Sequence, residues 1–277
     1  MTRVSISLVV AVAAGMNAAQ SHLEAFRSQL DMSGDDELLL ETAAEAGGSA
    51  LVPVLWSRGI ARARGDVVAL TTGSMDPAPG WAQAIRDEMR EGIAGVGGAI
   101  EPASGLTALD WAVHLCRYSA YLLPFAAHRA RTLPGDNAAY RRESIEPLRT
   151  LWAGGFWETE IDAALVAAGA TLIVTPSIVV RHGRSAGFAS FCRNRFRHGR
   201  RSGRGRRRAA SALLTALRVA GAPLVPFVLL GRIARRAAPR GYTRQLLMAI
   251  PWLLPFLTAW AAGEALGGLR ASDEMAP

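Results

Sequence analysis

RGIARARGDVVALTTGSMDPAPGW, Arg58 to Trp81, is the stretch that decides the fold. A run rich in Arg and Ala, both good helix formers, leads through Arg64-Gly65-Asp66 into Val67–Thr71, a short apolar run of strand formers. The strand ends in Thr72-Gly73-Ser74. Pro77, Pro79 and Gly80 then punctuate the chain, and Trp81 opens a helix carrying Ile85 and Met89. Helix, buried strand and helix in succession are the building unit of an α/β sheet.

The same alternation extends in both directions. Val4–Ala13 is predicted as a strand. Arg3 ahead of an apolar run also resembles a short signal peptide, but the strand formers Val4, Ile6, Val9, Val10 and Val12 and the helix pattern after them favour the first unit of a sheet. Gln20–Gln29 is a predicted helix, and Glu37–Leu40 and Val96–Ile100 are predicted strands. Glu160–Ala168 is a helix closed by Gly169, and Thr171–Val174 and Ile178–Val180 are strand material around Pro176.

Composition sets the outer limits. Half of the 277 residues are apolar, enough for one α/β domain and a small appendage. The net charge is +8, and every one of the 31 basic residues is Arg, whose planar fork suits phosphates. Cys116 and Cys192 stand far apart with no metal-ligand spacing, which fits a reducing compartment.

The chain changes character after Phe191. Arg193–Arg208 is crowded with Arg. The apolar stretches Ala209–Gly231 and Leu246–Leu269 follow, joined by a connector holding Arg232, Arg235, Arg236, Arg240 and Arg244. Each stretch reaches the roughly 20 residues a bilayer crossing needs. Prolines and Arg218 interrupt them, and a two-span hairpin would put the basic connector on the wrong side, so helices lying along one leaflet fit as well. The expected division is 1–192 as an α/β domain, 193–208 as a basic linker and 209–277 as a membrane-associated helical region. Anionic lipid is the expected partner of the Arg run. Nucleic acid is disfavoured, because Phe196 is the sole aromatic interleaved in that run.

Arg58–Trp81 resembles the stretch of family-2 glycosyltransferases in which an Arg/Ala-rich helix feeds a strand ending in acidic residues, followed by Pro and Gly-Trp. The resemblance runs from about Val4 to Arg201. It implies the GT-A fold, a nucleotide-sugar donor, a glycan or lipid-linked acceptor, and a cell-membrane location with the catalytic domain on the cytoplasmic side. Such enzymes hold Mg²⁺ or Mn²⁺ on carboxylates at that strand end. This chain has Thr72, Gly73 and Ser74 there, and neutral hydroxyls are poor ligands for these ions. Asp76 is either a displaced metal ligand or a turn residue before Pro77.

By the same resemblance Glu158, in Gly155-Phe156-Trp157-Glu158-Thr159-Glu160, falls on the general base. A cap at the helix start is the alternative for Glu158 and Glu160. Gly135, Asp136 and Asn137 match a segment lining the donor–acceptor cleft, or form an Asx turn. His182 ends the strand near the diphosphate, as a ligand or as a structural His. Glu41 stands where the family has an acidic residue for the nucleoside, and Asp66, Thr72, Ser74 and Arg195 complete the donor- and acceptor-binding set. Ala13-Ala14-Gly15-Met16-Asn17 replaces the usual ending of the first strand. The missing carboxylates leave two readings, a working transferase and an inactive relative that binds a nucleotide, glycan or partner enzyme.

Overall fold

The computed structural model describes residues 3–13, 20–46, 50–184, 187–208 and 211–269. The chain divides into two compact units, Met1–Ser104 with Tyr121–Arg184, and Gly105–Ala120 with Ser185–Pro277.

The first unit is built on a mixed sheet. Its elements are β1 (Ile6–Val12), α1 (Gln20–Arg27), β2 (Glu37–Thr42), α2 (Val52–Arg62), β3 (Val67–Thr72), β4 (Met75–Pro77), α3 (Trp81–Glu88) and β5 (Ile93–Pro102). After an excursion through α4 (Ala108–Tyr118) the chain returns with β6 (His128–Arg129), a 3₁₀ turn Gly135–Asn137, β7 (Ala138–Arg141), α5 (Arg142–Ile145), α6 (Arg149–Trp152), α7 (Glu158–Ala167) and β8 (Thr171–His182). The strand order is β2-β1-β3-β7-β5-β8-β4, with β6 beside β8. β1 runs parallel to β2 and β3, whereas β7 is antiparallel to β3 and β5.

Strands β1 and β3 are buried almost throughout, which is why they read as apolar runs without alternation. Val9, Leu70, Tyr140, Trp152, Phe156 and Ile161 lie in one apolar cluster. Helix α2 approaches the sheet so closely that a Cβ at Gly59 would stand 2.3 Å from Val9 Cγ1. Helix α7 stops as its sequence demands. Gly169 takes φ +85°, its N–H donates to Val166 O and that of Ala170 to Leu165 O, closing a Schellman motif.

β8 is one strand across Pro176, where two were expected. Its pairing with β5 shifts register between Gly98 and Ala99, and the extra residues around Pro176 are taken up in that irregularity. Gly98 makes room for it, because a Cβ there would lie 1.9 Å from Ile178 O.

The second unit consists of α4, α8 (Phe188–Arg208), α9 (Ala212–Ala220), α10 (Val225–Ala237) and α11 (Thr243–Leu269). Two expectations change here. The 193–208 segment is helix rather than linker, because Arg favours helix and Gly199 and Gly203 lie against the backbone of α11. The division falls near residue 184, and 105–120 joins the C-terminal helices. α4 begins with a Thr107–Asp110 capping box, a sequence signal the α/β reading did not use. The first apolar stretch is broken, with Leu214–Ala220 and Ala222–Arg240 meeting at 48°. α11 is long and apolar enough to cross a membrane, with Pro251 and Pro255 inside it. Ala14–Asn17, Ala209 and the tail from Arg270 lie outside the described residues.

Gly98→Ala is expected to lower the unfolding free energy by roughly 1–3 kcal/mol, since the new methyl meets backbone. The urea midpoint should fall at unchanged m-value; an unshifted midpoint would mean that the β5–β8 irregularity is not rigid.

Candidate active site

The candidate residues gather at the carboxyl ends of the parallel strands, the place where open α/β sheets bind ligands. Thr72 is in register with Ala11, and Ala11 with Glu41, so the three stand in a row across β3, β1 and β2. Glu41 is buried and pairs with Arg58 Nε at 3.3 Å and Arg62 at 3.2 Å, both from α2. The Glu41 carboxylate is therefore held in place by the Arg-rich helix.

Beyond β3 the chain turns through Gly73, whose N–H donates to Ala11 O at 3.0 Å, into β4. Thr72 Oγ1 and Ser74 Oγ are 3.2 Å apart and both residues are buried. Met75 pairs with His182 and Asp76 with Arg181, while Ser74 O accepts from Gly183 N. The structure thus brings Thr72, Ser74, Asp76 and His182 to one edge. It adds His22 from α1, whose Nδ1 lies 3.3 Å from Gly73 O. His22 had no motif around it and nothing in the sequence marks it.

The 3₁₀ turn Gly135–Asn137 lies beside β3. Thr71 Oγ1 donates to Asp136 O at 3.0 Å, and Trp56 Nε1 donates to Thr71 O at 2.9 Å. Asp136 is buried. Gly135 is wedged between two side chains: a Cβ on it would stand 3.0 Å from Trp56 Cη2 and 3.2 Å from Glu158 Cδ. Glu158 opens α7 and is half-buried, whereas Glu160 is exposed. The Glu158 carboxyl, Gly135 and the top of β3 therefore share one corner of the unit.

One turn further along α7, Asp162 is fully buried. Its Oδ2 accepts from Leu133 N at 2.7 Å and its Oδ1 from Tyr140 Oη at 2.9 Å. Burial pushes the Asp162 carboxyl from 3.8 up to about 7; the Glu158 charge adds to the rise, and the bonds from Leu133 and Tyr140 oppose it. Burial, reinforced by Asp162, also raises the Tyr140 hydroxyl well above its ordinary value. Asp162, Tyr140, Trp56 and His22 are neighbours of the candidate residues that carry no signal in the sequence.

Three expected binding residues are engaged in other contacts. Asp66 precedes β3 at its amino end, accepting from Ser5 N and Ser5 Oγ at 3.0 and 2.9 Å. The six residues of β3 carry it about 20 Å from Thr72, so it secures the bottom of the sheet. Asn137 is consumed internally: Nδ2 donates to Ala99 O and Ile178 O, and Oδ1 accepts from Trp81 Nε1. No hydrogen of its amide remains for a sugar hydroxyl. Arg195 belongs to the second unit, with its guanidinium 4.3 Å above the Trp260 ring.

The donor set does not fit a divalent cation. The strand end offers two hydroxyls, Asp76 lies across from Arg181, and among the described residues no group of three His, Cys, Asp or Glu converges.

Between 3.8 and about 7 the folded protein holds a proton on Asp162 that the unfolded chain releases. This contribution to stability is full below 3.8 and is lost as pH rises through about 7. Asp162→Asn should flatten the fall in unfolding free energy over that window, measured by denaturant titration at several pH values. An identical slope in the variant would assign the pH dependence to other groups.

The sequence matches no protein-family model and no curated protein. Solved structures do resemble it. A mannosyltransferase from Pyrobaculum calidifontis in complex with GDP-Man and Mn²⁺ aligns over 97% of this chain and 88% of its own, at 16% identity and a TM-score of 0.55. GalNAc-T7 with UDP, GalNAc and Mn²⁺ aligns over 65% of this chain and 43% of its own, at 15% identity and a TM-score of 0.47. Glucosyl-3-phosphoglycerate synthase from Mycobacterium tuberculosis, with Mn²⁺ and UDP-glucose, aligns over 68% and 73%, at 18% identity and 0.41. Sheet order, site position and the first of these alignments agree on one architecture: the chain has the GT-A-type fold of nucleotide-sugar glycosyltransferases.

Proposed function

We propose that this chain transfers a sugar from a nucleoside-diphosphate donor to a hydroxyl of a glycan or lipid-linked acceptor at a membrane surface. The observation that carries the reading is the Glu158 carboxyl packed against Gly135 beside the carboxyl end of β3. The missing side chain lets the turn backbone close on the carboxylate, so that Glu158 stands beside the strand end, where a general base would be needed. The P. calidifontis mannosyltransferase was solved with GDP-Man, which supports a donor of that class.

Each residue has a task in this reading. Glu41, held by Arg58 and Arg62, meets the nucleoside at the end of β2. Thr72 and Ser74 donate hydroxyl hydrogen bonds to the donor, and the backbone at Gly135 and the Asp136 carboxylate border the sugar. The leaving diphosphate needs positive charge, which the exposed Arg181 supplies on this edge, with ring nitrogens of His22 and His182 near it as hydrogen-bonding groups. Glu158 accepts the proton of the acceptor hydroxyl. Asp162 acts behind it, fixing the face of α7 through Tyr140 and Leu133.

The rival reading, a nucleotide- or glycan-binding protein without turnover, is favoured by the same Thr72-Gly73-Ser74 end that lacks carboxylates. Calorimetry with a panel of nucleotide sugars, with and without Mn²⁺, separates the possibilities. Binding is expected to change less than about tenfold, or about 1.4 kcal/mol, on adding Mn²⁺. A larger tightening would show that Asp76 and its neighbours rebuild a cation site.

Glu158→Gln keeps shape and hydrogen bonding but removes the base. Donor-to-acceptor transfer should fall about 10²–10⁴-fold with donor affinity little changed. Glu160→Gln, exposed on the same first turn, should cost far less. Equal transfer by wild type and Glu158→Gln would remove Glu158 from the mechanism. Donor binding without transfer by wild type would favour the binding protein.

A further inference from the structure

α8 and α11 are locked together along their length by missing side chains. A Cβ on Gly199 would lie 2.3 Å from Trp260 O, and one on Gly203 would lie 2.1 Å from Glu264 O. The reverse also holds: Gly263 faces Phe196 O at 2.2 Å and Gly267 faces Arg200 O at 2.1 Å. Each helix therefore carries two glycines four residues apart, pressed on the backbone of the other. Toward the start of α8, Phe188 meets Trp252 and Phe256, and Phe191 meets Phe256 at 4.5 Å. Toward its end, Arg206 is ion-paired with Glu264. Contacts advance in the same direction on both helices, so the pair is parallel.

The outer faces of this pair differ in chemistry. On α8 the exposed Arg193, Arg197, Arg201 and Arg204 recur at helical spacing on one side, while Phe191, Arg195, Gly199 and Gly203 turn toward α11. On α11 the exposed side holds Leu247, Met248, Pro251, Trp252, Ala262 and Leu266, with no charged residue between Gln245 and Gly263. Lipid is thus offered an apolar stripe from one helix and a row of guanidinium groups from the other.

Resting on the membrane-associated reading above, we infer that α11 does not cross the bilayer but lies along one leaflet, its apolar stripe among the acyl chains and the α8 Arg row at the level of anionic head groups. A crossing α11 would take α8 with it and place the Arg row in hydrocarbon, where each guanidinium is strongly disfavoured. Lying flat, α11 sinks to the head-group boundary and α8 stacks on its water side, within reach of lipid phosphates. The surface is built for a membrane rich in anionic lipid.

The test uses the full chain with sealed vesicles of phosphatidylcholine and phosphatidylglycerol. Thr243→Cys and Leu269→Cys, each in a Cys116→Ser/Cys192→Ser background, mark the two ends of α11. A membrane-impermeant maleimide added outside should label both to completion. Labelling of one end only, with the other exposed by detergent, overturns the flat arrangement while leaving membrane binding intact. Absence of vesicle binding overturns the membrane reading itself. Omitting phosphatidylglycerol should weaken binding at least about tenfold, and equal binding to neutral vesicles overturns the Arg contribution. Should the serine background fail to fold, the wild-type chain answers by alkaline wash, which releases a protein lying on the leaflet and retains one that spans it.

Discussion

The amide of Asn137 is the interaction on which the first unit depends. Three elements meet at it: the bulged pair β5–β8 through Ala99 O and Ile178 O, and α3 through Trp81 Nε1. The register shift beside Gly98 leaves strand carbonyls without ordinary ladder partners, and a buried carbonyl left unpaired costs about 1–3 kcal/mol. Asn137 satisfies two of them at once. In doing so it fixes the 3₁₀ turn before β7, and with it Gly135, at a set distance from the Glu158 carboxyl. A residue whose amide is spent on internal hydrogen bonds thereby sets the width of the corner where chemistry is proposed.

Much of the sheet was legible because its strands are buried on both faces. Val67–Thr72 and Ile6–Val12 need no alternation to be recognised; their continuous apolar character and flanking turn residues suffice. Gly169 likewise announced the end of α7. What escaped depends on partners remote in sequence. Asn137 has three such partners, and its residue type suits a sugar hydroxyl as well as a bulge. Pro176 divides the apolar run in sequence, since a proline cannot donate to a ladder, yet the bulge places it where no donor is required.

The candidate site shows the same division. Glu41, Thr72, Ser74, Gly135, Asp136, Glu158 and His182 all gather on the carboxyl edge, since each stands at the boundary of an element: Glu41, Thr72 and His182 stand at the ends of strands, Ser74 follows one, Gly135 and Asp136 precede the antiparallel β7, and Glu158 opens α7. Asp66 fails for a geometric reason: it adjoins the motif in sequence but precedes the strand, so the strand's whole length intervenes. His22 and Asp162 reach the corner from helix positions with no sequence signature. Thr72–Ser74 carry hydroxyls where the resemblance leads one to seek carboxylates, and among the described residues no group of three His, Cys, Asp or Glu converges there.

The reciprocal glycines of α8 and α11 have a consequence for how fast and how firmly such a surface can engage lipid. Isolated amphipathic helices lose backbone and side-chain freedom when they order on a bilayer, and that entropy opposes each encounter. Here two helices are held at backbone contact before any lipid arrives, so their ordering belongs to the folding of the chain. In the proposed arrangement the pair would meet the membrane as a preorganised plate, and less of the gain from burying its apolar stripe would be spent on ordering the helices.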